Sequence, residues 1–366
     1  MHFPTLLERQ RRNAFPFLQV FLVANAGEED KRCHVEKKGW NNETSQMEFL
    51  LLGFGNVLSL QTPLFLLTLM IYSVIVLGNI LIVVLVVADR QLHTPTYFFL
   101  GNLSSLETCY SSAILPRLLA SFLTGNGPIS AHGWIAQLYP FGFCATTDCY
   151  LLAAMSHDRY LAICRPLLYA SLMTCKVSHQ LVAGSWLGGS LVSGVLTFLL
   201  SQLQVCGPKA IDHFFWDFTP LLELSCSDTR LAKPVTLLLS FLNVVFPFPF
   251  TPASCVCIVA AILRIPSSVG RRKAFSTGSS HLPVVTVFYG TLIVVYVLPR
   301  TALLRQLNKV LPFFFFFYAT FTPLVNPLIY SPRNREVREA LRKMLRKALA
   351  CTQSSCYLGG TGKRHF

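Results

Sequence analysis

Residues 151–164 read LLAAMSHDRYLAIC, and the fold turns on how this stretch is understood. An apolar run that begins near residue 134 ends here in Asp158-Arg159-Tyr160. A charged pair beside hydrocarbon costs several kcal/mol unless it sits at an interface or has a task there. The question is whether the rest of the chain is built for lipid.

Composition says that it is. The chain has 366 residues, 52% hydrophobic and 13% charged, with a mean hydropathy of +0.50. A soluble domain carries about a quarter charged residues. The formal charge of +14 raises the question of nucleic acid, but no basic stripe interleaved with aromatics appears. The excess sits in particular segments between apolar runs, which is the pattern of membrane orientation. The twelve cysteines show none of the short paired spacings of a zinc site. Most lie inside apolar runs, where cysteine is a small buried hydrophobe.

Runs long enough to cross a hydrocarbon layer of about 30 Å occur near 63–88, 95–119, 134–157, 178–200, 234–263, 275–299 and 310–331. The predicted architecture is therefore an all-α membrane protein, a bundle of seven transmembrane helices. Pro63 and Pro234 fall near helix starts, where a missing N–H does no harm. Pro323 and Pro327 fall inside the seventh run and are expected to kink it.

Lys and Arg number one in 89–93, three in 158–177, four in 264–273 and nine after 331, against only Asp89, Asp158, Glu336 and Glu339. These segments are expected to face the cytoplasm. The opposite loops between 201 and 309 hold six Lys or Arg against four acids. An odd number of spans then puts the N-terminus outside. Asn42-Glu43-Thr44 agrees, being a glycosylation acceptor about twenty residues before the first span. Asn102-Leu103-Ser104 also matches but lies within the second run.

The chain divides into a polar extension at 1–40, an extracellular segment at 41–62, a seven-span helical domain at 63–331, and a cytoplasmic helix and tail at 332–366. In the extension, Arg9, Arg11 and Arg12 precede a short apolar run and Ala24-Asn25-Ala26, the order of a secretory signal. Pro16 and Gln19 interrupt the apolar part, and an unstructured polar extension is the other reading. After the seventh run, Val337, Leu341, Met344 and Leu345 recur at helical spacing among Arg335, Arg338, Arg342, Lys343, Arg346 and Lys347. This predicts an amphipathic helix on the inner leaflet. Cys351 and Cys356 follow, either as palmitoylation sites or as reduced cytosolic thiols.

Several strings in order carry a resemblance: EFLLLGF at 48–54, GN at 78–79, LHTPTYFFLGNLSSLE at 92–107, MSHDRYLAICRPL at 155–167, IDHFFWD at 211–217, SCSD at 225–228, RIPSSVGRRKAFST at 264–277, SHL at 280–282, FYG at 288–290 and NPLIYSPRN at 326–334. Over about 42–347 the chain resembles an odorant receptor of the rhodopsin-like G-protein-coupled receptor family. The resemblance implies a plasma-membrane receptor that binds small volatile odorants within the bundle. It implies coupling to a stimulatory, olfactory-type heterotrimeric G protein, raising cyclic AMP. It also offers a task for the opening triplet: Asp158 holds Arg159 at rest and releases it, with Tyr160 and the basic Arg271, Arg272 and Lys273, toward the G protein. The plainer reading is an interfacial charge that snorkels and anchors the helix.

Two acids are truly intramembrane, Glu107 and Asp148, each costing about 2.5–3.5 kcal/mol on insertion scales if unpaired. Each is expected to face the interior. Two nearby carboxylates share a proton or a cation. The family pattern adds Asn79, Asn326, Pro327 and Tyr330 to an activation network around them. A sodium or proton site at Glu107 and Asp148 and a pair of neutral acids bonded for packing both remain open; no other cofactor is implied.

The resemblance points to a ligand pocket at the outer halves of the helices. It comprises Phe141, Gly142, Ala145 and Thr146; Leu239 and Asn243; Tyr289, Leu292, Ile293 and Tyr296; and Phe316, Ala319 and Thr320. Such a lining is apolar with a few hydroxyls and one amide, suited to small organic molecules held by shape. By family position, Cys206 and Cys226 pair in the second outer loop.

Departures stand beside these matches. Trp134 and Trp216 occupy the places of the cysteines that join the third helix to the second outer loop in most of the family. Losing that tether forfeits about 2–4 kcal/mol. Pro247, Pro249 and Pro252 crowd the fifth run, each able to break the backbone ladder at about 3 kcal/mol. Cys255, Gly278 and Pro332 replace the usual tyrosine, cysteine and leucine, and 313–317 is a run of five phenylalanines.

No nucleophile and base pair, phosphate-binding glycine loop or metal spacing supports catalysis. Three other classes remain in view: an ion transporter or channel using Glu107 and Asp148, which predicts internal repeats that are not visible; a receptor for a metabolite outside the nose; and a non-signalling relic that folds poorly.

Overall fold

A computed structural model describes residues 48–51, 58–124, 128–203, 210–211, 225, 230, 232–245, 247, 249–268, 286, 290, 320–324, 327 and 335–360. In chain order these form β1 (Glu48–Leu51), α1 (Leu58–Ala88), a 3-10 turn (Arg90–Leu92), α2 (Pro95–Thr124), β2 (Pro128–Ser130), α3 (Ala131–Cys164), α4 (Pro166–Leu172), α5 (Cys175–Ser201), β3 (Ala210–Ile211), α6 (Ala232–Val245), α7 (Phe250–Leu263) and α8 (Arg335–Gly360). At 1.5 Å per residue the helices of 27–34 residues, α1, α2, α3 and α5, rise about 40–51 Å, more than the thickness of a hydrocarbon layer; among the described residues Gln61–Ala88 of α1 and Cys175–Ser201, which is α5, are also apolar enough to cross one.

These helices are turned inside out relative to a soluble bundle. On α5 the inward stripe is Ser178, Val182, Ser185, Gly189, Ser193, Leu196 and Leu200, mostly small residues. Leu187, Leu191, Val195 and Phe198 point outward and are exposed. Small inward residues let backbones approach, and lipid solvates the large outward ones. On α2, Phe99, Leu100, Leu103, Leu106, Tyr110 and Ile114 form one buried stripe at helical spacing. α3 lies at the centre, packed on α2, α5 and α7. Gly189 is required there: a Cβ on it would strike Thr147 Oγ1 and sit 3.0 Å from the Phe143 carbonyl oxygen.

Three features differ from the sequence reading. First, α1 begins at Leu58, so Pro63 lies inside the helix rather than at its first turn. Second, the fifth run is two helices, α6 and α7, broken between Val245 and Phe250. The cause is local: Pro249 occupies the N-cap of α7 and Pro252 its first turn, where neither needs a donor. The Thr251 hydroxyl donates to the Pro247 carbonyl at 3.3 Å, satisfying a polar group that lipid would not. The prolines therefore cost one break rather than three. Third, the otherwise all-α chain carries a small three-stranded sheet of order β2-β1-β3, which no strand pattern announced.

The sixth and seventh runs fall largely outside the described residues. β1, β2 and β3 meet at one end of the bundle. At the other end α8 is bonded to the 3-10 turn between α1 and α2: Lys343 Nζ lies 3.3 Å from Asp89 Oδ2 and donates to Gln91 Oε1 at 2.6 Å.

Candidate functional site

At the end of the bundle that carries α4, the opening triplet has a built environment. Asp158 is 1% exposed. Its Oδ2 accepts from the Thr96 hydroxyl of α2 at 2.8 Å, and its Oδ1 accepts from the Tyr169 hydroxyl of α4 at 2.8 Å. Arg159 Nη2 lies 3.4 Å from Asp158 Oδ2. Charge-assisted hydrogen bonds run about 2.7–2.9 Å, so the two hydroxyls grip the acid more closely than the guanidinium does. Arg159 is the loosely held member. Burial first, and then the charge of Asp158, push the Tyr169 phenol up to about 12, so it remains a donor at any cellular pH. Tyr160 is partly buried against the core; Arg271, Arg272 and Lys273 lie outside the described residues.

Further in, Asn79, Glu107 and Asp148 are all buried. Asn79 Nδ2 donates to its own helix at Ile75 O (3.0 Å) and to Pro323 O of the seventh run (3.1 Å). The second bond has a specific cause. In a helix Pro323 O would accept from residue 327, but Pro327 has no N–H to give. Asn79 supplies the missing donor. Gly78 makes the approach feasible, since a Cβ there would sit 2.9 Å from Pro327 Cβ. Asn326 and Tyr330 lie outside the described residues.

Among the described residues, Asn79 Oδ1, Ser104 Oγ, Ser111 Oγ and Asp148 Oδ1 are buried oxygens without a hydrogen-bond partner. Unsatisfied buried groups of this kind are uncommon and need an explanation. All four are oxygens, the donor type that a hard cation or a shared proton takes.

Toward the sheet end of the bundle, Phe141, Gly142 and Thr146 are buried and Ala145, Leu239 and Asn243 partly so. The structure joins two of them across helices: Asn243 Nδ2 of α6 donates to Thr146 Oγ1 of α3 at 3.0 Å. Asn243 Oδ1 is left as a buried acceptor with no partner among the described residues. Phe141 packs against Tyr110, ring centroids 5.8 Å apart. Thr320 is buried. Tyr289, Leu292, Ile293, Tyr296, Phe316 and Ala319 lie outside the described residues, as do Cys206, Cys226, Asn42 and Trp216. Trp134 stands in the first turn of α3.

The sequence reading missed Thr96, Tyr169, Asp89 and the Tyr97 hydroxyl, which donates to Glu336 Oε2 at 2.7 Å. Each acts through a partner on another element, and nothing in its own neighbourhood marks it. One signal was available: an acid at an interface that carries two acceptor oxygens calls for more donors than one arginine.

Comparison with known proteins places these features in a known company. Residues 68–348 match the family model described as olfactory receptor. Human olfactory receptor 11A1 is 46% identical over 304 residues, 83% of this chain and 95% of that protein. Human olfactory receptor 11L1 is 43% identical over 325 residues, 89% and 98% of the two chains. Mouse olfactory receptor 5P68 is 42% identical over 308 residues, 84% and 97%.

Proposed function

The chain belongs to the olfactory receptor family, and from that premise we propose that it binds small neutral odorants between α3 and α6 and passes the signal to a stimulatory G protein through Arg159. It is a multi-pass receptor of the plasma membrane and not an enzyme. Our reading of its orientation puts β1 outside and α8 in the cytoplasm, in keeping with the basic residues concentrated at the α8 end.

The observation that carries the coupling proposal is the arrangement at Asp158. Thr96 and Tyr169 satisfy the acid without help from Arg159. The guanidinium can therefore leave without orphaning a buried carboxylate, which is what a two-state element requires. An activating ligand acts by favouring the state in which Arg159 faces the G protein. The basic Arg271, Arg272 and Lys273 complete the cytoplasmic surface in this reading.

The ligand's chemistry follows from Asn243. Its Oδ1 is a buried acceptor without a donor, so the site rewards a neutral hydroxyl. Phe141 and Gly142 offer shape and no charge. A carboxylate gains nothing from this set, and a charged amine finds an acceptor but no counter-charge.

A sodium ion or shared proton at Glu107 and Asp148 belongs to the same proposal, as a stabiliser of the resting state. The unpartnered Asp148 oxygen supports it. Replacing external sodium by choline should shift odorant potency in the native receptor and leave Asp148→Asn unmoved; a shift of equal size in both removes the ion.

The main test is a cyclic AMP reporter in olfactory-type cells, read alongside surface staining of the unpermeabilised cells. A panel of six- to ten-carbon alcohols is compared with the matching methyl ethers. We expect alcohols to activate, ethers to be at least about tenfold weaker, and Arg159→Ala to abolish the response at unchanged staining. Asn243→Leu should erase the preference for alcohols. Native chain at the surface that answers no alcohol, or an Arg159→Ala variant that signals normally, defeats the reading. Absence of the native chain from the surface favours the relic.

A further inference from the structure

The sheet at the outer end has an unusual dependence on one strand. β1 pairs antiparallel with β2, with Glu48 opposite Ser130, Phe49 opposite Ile129 and Leu50 opposite Pro128. On its other side β1 pairs parallel with β3, with Leu50 beside Ala210 and Leu51 beside Ile211. β2 and β3 are the two edges and do not pair with each other. Pro128 fits an edge, where a strand can spare one N–H. Among the described strands β1 is the one partner of each loop strand, and strands of two or three residues do not stand alone.

The two strands that β1 joins come from different connections of the chain. β2 lies in the connection between α2 and α3 and runs without a break from Ser130 into Ala131 of α3. β3 lies in the connection between α5 and α6. Holding β2 therefore holds the outer end of α3, the helix that carries Phe141 and Thr146 two to four turns further in. No cysteine occurs in 128–134 or 207–216, so a disulfide between these two segments is unavailable. The tie that the structure shows between them is main-chain, through β1.

We propose that Glu48–Leu51 is a strap: the N-terminal segment, by pairing with both outer connections at once, sets the outer end of α3 against the second outer loop and is required for the folded outer face of this receptor. The inference concerns assembly of the mouth and needs no odorant, so it stands or falls separately from the ligand proposal.

The test is made on the full chain. Antiparallel partners lie about 4.5–5.5 Å apart at Cα, inside the window for a disulfide. Phe49→Cys/Ile129→Cys should therefore cross-link in the oxidising secretory pathway, detected by peptide mapping without reductant. Phe49→Cys/Ser130→Cys should not, because adjacent residues point to opposite faces of the sheet. Leu50→Pro removes a donor from the central strand and should lower, several-fold, the fraction of chain extracted as a monodisperse species in mild detergent. Adding the Phe49→Cys/Ile129→Cys pair to Leu50→Pro should restore that fraction. Failure of the in-register bridge, equal bridging in the slipped pair, an unaltered monodisperse fraction in Leu50→Pro, or no rescue by the bridge would each overturn the strap.

Discussion

Removing one oxygen atom, as in Tyr169→Phe, takes from Asp158 one of the two hydroxyls that hold it. A hydrogen bond to a charged group contributes about 1.5–3 kcal/mol, and here the loss falls on the resting arrangement. The acid then leans on Arg159 or opens. We expect ligand-free cyclic AMP to change several-fold at constant surface amount, and an unchanged baseline would show that Tyr169 is only packing. The opposite kind of residue is Gly189, which matters for what it lacks. Gly189→Ala drives a methyl into Thr147 Oγ1 and the Phe143 carbonyl, and overpacking of this sort costs about 1–3 kcal/mol. Gly184→Ala, on the same helix with nothing within 4 Å of the new carbon, should be neutral or gain up to about 1 kcal/mol from helix propensity. Thermal midpoints of the detergent-solubilised variants separate the two. Both residues looked alike in sequence. The difference lies in which face of α5 meets α3.

α8 shows how an element can be legible while its attachment is not. The pattern of Val337, Leu341, Met344 and Leu345 among basic residues announces an amphipathic helix, and the structure buries Val337 and Ala340 with Leu341 and Met344 partly covered, while Leu345 is exposed. Its tie to the first inner turn, Lys343 with Asp89 and Gln91, is between residues some 250 positions apart. Lys343→Glu should speed hydrogen exchange over 335–347, and Asp89→Lys in the same chain should slow it again. The effect is small, because both side chains meet solvent; equal exchange in all three chains would deny the tie any role. The Gln91 backbone N–H foremost holds the Asp89 carboxyl below its ordinary 3.8; burial opposes it, and Lys343 adds to the lowering. A depressed acid contributes docking that is complete above 3.8 and lost as pH falls through the lower folded value. Exchange in α8 should therefore be flat across the cytosolic range. The fifth span makes the complementary point. Its three prolines read as three threats, yet two fall where α7 begins and need no donor.

For the molecule as a whole, topology follows from which pieces share an end. β1 lies with the connections that precede α3 and follow α5, while α8 lies with the turn between α1 and α2. If the sheet end is outside, Asn42, just before β1 in sequence, is in reach of glycosylation. Peptide N-glycosidase should then shift the native chain on a gel and leave Asn42→Gln unmoved; a native chain that does not shift would count against this orientation. The apolar runs, the interfacial Asp158 and Arg159, the intramembrane acids and the amphipathic tail were all determined by the sequence itself, for one physical reason. In lipid each span must satisfy its own backbone, so a helix that crosses is a local object and its residues announce it. The partners were decided only by the tertiary structure. Thr96 and Tyr169 around Asp158, Asn79 under Pro323, Asn243 on Thr146, Gly189 against α3 and the strand that gathers two loops all depend on how helices rotate and how closely they approach. Those are settled by packing between segments far apart in the chain, and no single segment carries them.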